Sequence, residues 1–172
     1  CAVSVGGASV NSNFNLSCGS VITAAPPATD PFRSVAEPSI SGACKNGNGK
    51  NLDPGRYCGG LSLKNTVNLA PGVYVIDGGT LKINANTNLN GAGVTIYLAN
   101  GVIANSGNYT YVSGGATPYG VGNGTTLNIS APTSGNYAGI AIWDGNASAS
   151  TPDTFTFGGG ANSSFTGSLY AP

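Results

Sequence analysis

The sequence predicts an all-β chain, and within that class a right-handed parallel β-helix with rungs of irregular length; a β-sandwich is the alternative. Three observations carry this expectation. Apolar and polar residues alternate with a period of two in stretch after stretch, from "LSLKNTVNL" to "SSFTGSLY", and no window carries a convincing helical period. A Leu-x-Pro-Gly-x-Tyr element occurs twice, with Pro54-Gly55 and Pro71-Gly72 spaced like successive rungs. The composition, with 28 Gly, 20 Asn and only 7% charged residues in a chain of 172, disfavours helix and favours short strands joined by tight corners.

The elements follow in order along one expected domain, residues 1–172. "CAVSVGG" begins strand-like, and the Pro-rich segment 24–39 is expected to run extended across the surface. "KNGNGK", residues 45–50, reads as a mobile loop tip. Each Pro-Gly pair predicts a type II turn, because proline presets one central residue and glycine accepts a positive φ at the next. In "VYVIDGG", Asp77 follows Val73 and Val75 and precedes two glycines, which marks it as a corner residue. In "TLKINANTNLNG", Leu81, Ile83, Ala85 and Leu89 take the buried parity and Lys82, Asn84, Asn86, Asn88 and Asn90 the exposed one. The stretches "GVTIYLANGV", "TTLNISAP", "AGIAIW", "DTFTFGG" and "SSFTGSLY" carry the same beat. The many asparagines favour stacked coils over a sandwich, since asparagine tolerates left-handed corners and can hydrogen-bond its like in the next coil.

The four cysteines are Cys1, Cys18, Cys44 and Cys58, with no CxxC pair. An even count in a low-charge, loop-rich chain points to disulfides in an oxidising compartment. Three pairings are open; Cys1 with Cys18 and Cys44 with Cys58 closes the shortest loops.

Several functions are excluded or disfavoured by composition. Lys+Arg and Asp+Glu number six each, so the chain has no electrostatic footprint for nucleic acid or an anionic membrane. Histidine is absent, which removes Ser-His-Asp and Cys-His catalysis and His-ligated metal sites. The six acids, Asp30, Glu37, Asp53, Asp77, Asp144 and Asp153, are scattered singly, several of them in turns, so no catalytic residue, metal site or cofactor is assigned. Tyr109, Tyr111, Tyr119, Tyr137 and Trp143 are candidate contacts for a glycan or protein partner; the plainer alternative is that they cap the core or cover a loop.

Taken in order, "LDPGRYCGGLSL", "LAPGVYVIDGGTLKINANTNLNGAGVTIYL", "LNISAPTSGNYAGIAIW" and "FTGSLYAP" resemble the C-terminal region of TadG-like proteins of the bacterial tight-adherence (Tad, or Flp) pilus-assembly family, over most of residues 30–172. The resemblance implies a bacterial envelope protein with an exported β-rich region, no established catalytic residues, and membrane contact only through an N-terminal anchor outside the present sequence. The leading expectation is therefore a non-catalytic extracellular structural or adhesion module of a surface appendage. Its expected partners are further copies of itself or other envelope and pilus proteins. The rival expectation is a β-helix that binds or cleaves carbohydrate, with a surface glycan as its partner. Strand-like ends and scarce charge predict end-to-end or face-to-face joining into filaments, unless flanking sequence caps the ends.

Overall fold

The computed structural model describes residues 29–99, 104–106, 109–111, 118–120, 124–145, 154–156 and 163–171; at 79–80, 104–106, 109–111, 118–120 and 154–156 the backbone alone is described. Two compact units divide between Ser34 and Val35. In the first, residues 31–34 form a turn and the Phe32 N–H donates to Asp30 Oδ1 at 2.8 Å. The extended path expected for 24–39 is therefore interrupted, and its residues 24–28 lie outside the described residues.

The second unit is Val35–Pro172. Its regular structure is all strand: β1 (Asn51–Leu52), β2 (Gly55–Leu63), β3 (Thr66–Leu69), β4 (Gly72–Ile83), β5 (Asn88–Ala92), β6 (Val94–Ala99), β7 (Ala104–Ser106), β8 (Tyr109–Tyr111), β9 (Pro118–Gly120), β10 (Thr126–Ser130), β11 (Ile140–Asp144), β12 (Thr154–Thr156), β13 (Ser164–Thr166) and β14 (Ser168–Tyr170). Ten of these strands form two five-stranded sheets, β1-β3-β5-β10-β13 and β14-β11-β6-β4-β2. Every pairing within both sheets is parallel. The chain alternates between them: each strand of the first sheet is followed by one of the second, and each return lays a new strand beside its predecessor. Between these turns, β7 pairs with β8 in antiparallel fashion and β12 with β9 in parallel.

Alternation in the sequence places one apolar row from each sheet in a shared core. Leu52, Val67, Leu69, Leu89, Leu127 and Ile129 come from the first sheet and meet Leu61, Leu63, Tyr74, Ile76, Ile96 and Leu98 of the second in one cluster. Each such side chain removed from water contributes about 1.5–3 kcal/mol. β6 is buried along its whole length, because its outward row, Thr95, Tyr97 and Ala99, is covered as well.

Passage from first to second sheet is made at glycines with positive φ: Gly55, Gly72, Gly93, Gly139 and Gly167 stand at or just before β2, β4, β6, β11 and β14. At Gly72, φ is 138°, away from the type II value of about 80°, so the turn type expected for Pro-Gly is not adopted although the need for glycine is met. A second reason for glycine is close stacking: a Cβ there would lie 2.7 Å from both Cβ and Cγ of Pro54, which precedes the neighbouring strand β2. The tyrosine ending each Leu-x-Pro-Gly-x-Tyr element secures the same corner. Tyr57 Oη donates to Asp53 O at 2.7 Å, and Tyr74 Oη lies 2.9 Å from Ala70 O and 2.7 Å from Leu52 O, so one hydroxyl proton serves two carbonyls. The two rings stack with centroids 5.9 Å apart.

The structure corrects three further expectations. "TLKINANTNLNG" is two strands, not one: Asn86 adopts φ 58°, the chain turns between Ile83 and Asn88, Ala85 is exposed, and Thr87 takes the buried place. Asp77 lies inside β4 rather than at a corner between strands. It precedes a bulge in which Gly78 and Gly79 oppose the single Gly59, since Cys58 pairs with Asp77 and Gly60 with Thr80. Finally, the loop 45–50 is not a free tip. Gly47 packs so closely on Leu61 and Tyr57 that a side chain there would collide with Leu61.

Candidate functional site

The outer row of the first sheet carries the most regular chemistry in the molecule. Asn51 pairs with Asn68, Asn68 with Asn90, Asn90 with Asn128, and Asn128 with Ser164, in register across all five strands. The amides are joined: Asn68 Nδ2 donates to Asn51 Oδ1 at 2.9 Å, Asn90 Nδ2 to Asn68 Oδ1 at 3.2 Å, and Asn128 Nδ2 to Asn90 Oδ1 at 3.1 Å. All three bonds run in one direction. A primary amide has two N–H donors and an oxygen with two lone pairs. Asn68 and Asn90, in the middle of the ladder, each retain one donor and one acceptor for an outside ligand. The position before each core leucine or its equivalent, as in "NLDPG", "NLAPG" and "NISAP", is the sequence signal that reveals this ladder.

Two positions along, Ala92, Ser130 and Thr166 form a parallel row. Between the rows lies an open groove of about 450 Å³, lined by Asn90, Asn128, Ser164, Ala92, Ser130 and Thr166 with the backbone of Gly91 and Ile129. No strand of this sheet contains a charged residue, whereas the second sheet carries Arg56, Asp77, Lys82 and Asp144.

The candidate residues of the sequence are placed as follows. Cys44 and Cys58 form a disulfide with Cα atoms 5.5 Å apart. Cys1 and Cys18 lie outside the described residues. Tyr109 and Tyr111 are on β8 and Tyr119 on β9, where only backbone is described. Trp143 is 2% exposed and Tyr137 half-buried. Trp143 is thus placed as the plainer alternative has it, in the core: its ring is enclosed edge-on by Tyr97, Tyr137 and Tyr170, with centroids at 6.0, 6.3 and 4.9 Å. Register makes this cluster, because Tyr97, Trp143 and Tyr170 are direct partners on β6, β11 and β14. Tyr97 carries no local signal of this role, which depends on strands far apart in sequence. Its hydroxyl donates to Glu37 Oε2 at 2.9 Å, and burial, then that carboxylate, push its pKa up to about 12.

The segment bearing Glu37 is held against the second sheet at further points. Arg56 Nη1 donates to Gly42 O at 3.3 Å, the Lys45 N–H donates to Arg56 O at 2.7 Å, and the Cys44–Cys58 bond adds a covalent tie. Arg56 also holds Asp77: Nε donates to Asp77 Oδ2 at 2.6 Å and Nη2 pairs with the same oxygen. Among the described residues, no three His, Cys, Asp or Glu side chains form a group able to hold a metal ion. No family model, curated protein or solved structure matches the chain.

Proposed function

We propose that this chain is a non-catalytic structural or adhesion module, coiled as a right-handed parallel β-helix, that acts outside the cytoplasm in a bacterial surface appendage or pilus-assembly system. The four-asparagine ladder is the observation that carries the architectural part of the reading. It requires like residues to be stacked at one place in successive coils, as a solenoid provides and a sandwich of antiparallel hairpins does not. Parallel pairing throughout the two five-stranded sheets and alternation of the chain between them support the same architecture. Its handedness follows from the strong preference of parallel crossovers.

The Cys44–Cys58 disulfide favours an oxidising compartment. Asp77, the most conspicuous acid in the sequence, is engaged by Arg56 in a pair that braces two strands, which favours a structural use of that carboxylate over an acid–base one. The resemblance to TadG-like proteins supplies the proposed setting. Immunogold electron microscopy of the producing cells, with antibody raised against the full chain, tests the proposal. Label on the cell surface or its appendages is expected; label confined to the cell interior would overturn it.

The second reading, a carbohydrate-binding module, is favoured by one feature, the uncharged groove beside the amide ladder.

A further inference from the structure

We propose that the outer face of the first sheet binds a neutral polysaccharide, laid along the asparagine ladder and seated between the Asn90–Asn128–Ser164 row and the Ala92–Ser130–Thr166 row. The proposal rests on the adhesion reading above and names the class of ligand through which adhesion would act.

The ladder leaves part of its hydrogen-bonding capacity unused. Each mid-ladder amide spends one N–H and one oxygen lone pair on its neighbours, and its remaining donor and acceptor sit side by side at the surface. Because these amides point the same way, the donor–acceptor pair of Asn68 recurs at Asn90, one interstrand step of about 4.8 Å further on. A sugar hydroxyl is itself both donor and acceptor, so neighbouring hydroxyls on a pyranose ring match such a pair. An extended chain of equatorially linked rings advances by a similar step, which allows successive rings to meet successive coils.

Charge selects among polymers. The five strands contain no Asp, Glu, Lys or Arg, so an acidic polysaccharide finds no cation on them and a basic peptide no anion. Ser130, Ser164 and Thr166 add hydroxyls, and the small Ala92 leaves room beside Asn90. The groove is open, with a volume of about 450 Å³, so a ligand would lie along it rather than be enclosed.

The test is titration of the isotopically labelled full chain with neutral hexasaccharides of glucose, mannose and N-acetylglucosamine, with oligogalacturonate as the acidic comparator. Shifts in the side-chain amide signals of Asn68, Asn90 and Asn128 report binding. At least one neutral series is expected to move these signals while oligogalacturonate does not. Ser130→Glu, which leaves the ladder amides untouched, is expected to weaken that binding at least tenfold without changing the unfolding temperature. Three results would overturn the proposal: no shift with any neutral hexasaccharide, equal shifts with oligogalacturonate, or shifts that grow with protein concentration alone and so report a second copy. Failure here with surface label retained removes the ligand but not the module. Loss of surface label removes the module reading itself.

Discussion

Arg56 and Asp77 meet across the β2–β4 pair, with Arg56 Nε 2.6 Å from Asp77 Oδ2, and Asp77 is the direct strand partner of Cys58. One ion pair and one disulfide therefore fasten the same stretch of the second sheet. Asp77 is 10% exposed and Arg56 31%, so water screens the pair only in part. Asp77→Asn removes the charge and leaves the guanidinium with a weaker acceptor. It is expected to lower stability by about 1–2 kcal/mol, measured by urea denaturation. An unchanged midpoint would show that the pair contributes nothing.

Much of the scaffold is legible in the sequence, and the reasons are local. Alternation marks Leu81, Ile83 and Leu89 as buried, and they are. The doubled Pro-Gly element marks two successive corners, because glycine with positive φ is a local requirement. Legibility ends where a residue's role depends on what a neighbouring strand, far off in sequence, places beside it. Asp77 resembles a corner because Gly78 and Gly79 follow it, but the bulge they make is defined by Gly59 on β2. Trp143 resembles a surface aromatic until Tyr97 and Tyr170, brought in by parallel register, enclose it. The amide ladder is foreseeable as a kind of contact, but its members are set by register.

The tyrosine hydroxyls that brace the Pro-Gly corners differ in what they support. Tyr74 Oη is shared by Leu52 O and Ala70 O, whereas Tyr57 Oη serves Asp53 O. Tyr74→Phe should cost about 1–2 kcal/mol and Tyr57→Phe less, about 1 kcal/mol at most. Paired thermal denaturation of the two variants checks the order; a reversal would contradict this account of the corners.

Alkaline pH should weaken the fold through the same class of group. Burial is the first cause of the raised pKa at Tyr57, Tyr74 and Tyr97. A raised pKa means that the fold favours the protonated hydroxyl. For Tyr97, the stability this contributes is complete below pH 10, its ordinary pKa, and is lost as pH rises towards about 12. Denaturation midpoints taken stepwise across that window should fall. Glu37→Gln should bring Tyr97 ionisation to lower pH, seen in tyrosinate absorbance; a flat stability profile would refute the assignment.

Cys44 and Cys58 are 14 residues apart, and closing a loop of that length stabilises a fold by about 3 kcal/mol on the chain-entropy account. Replacing both cysteines by serine should lower stability by about 2–3 kcal/mol. Limited proteolysis of that variant should cut first within residues 35–45, the segment the bond holds to Arg56 and Cys58. Cleavage elsewhere first would show that the segment is held without it.

The proposed β-helix requires like residues of parallel strands to stack in register, and through-space nuclear magnetic resonance contacts among asparagine side-chain amides test it most directly. In the full chain, Asn68 is predicted to contact Asn51 and Asn90, and Asn90 to contact Asn68 and Asn128, each with one slowly exchanging amide proton. Amide contacts that skip this order, or strand contacts that run antiparallel between β3, β5 and β10, would contradict the stacked coil and the surface built upon it.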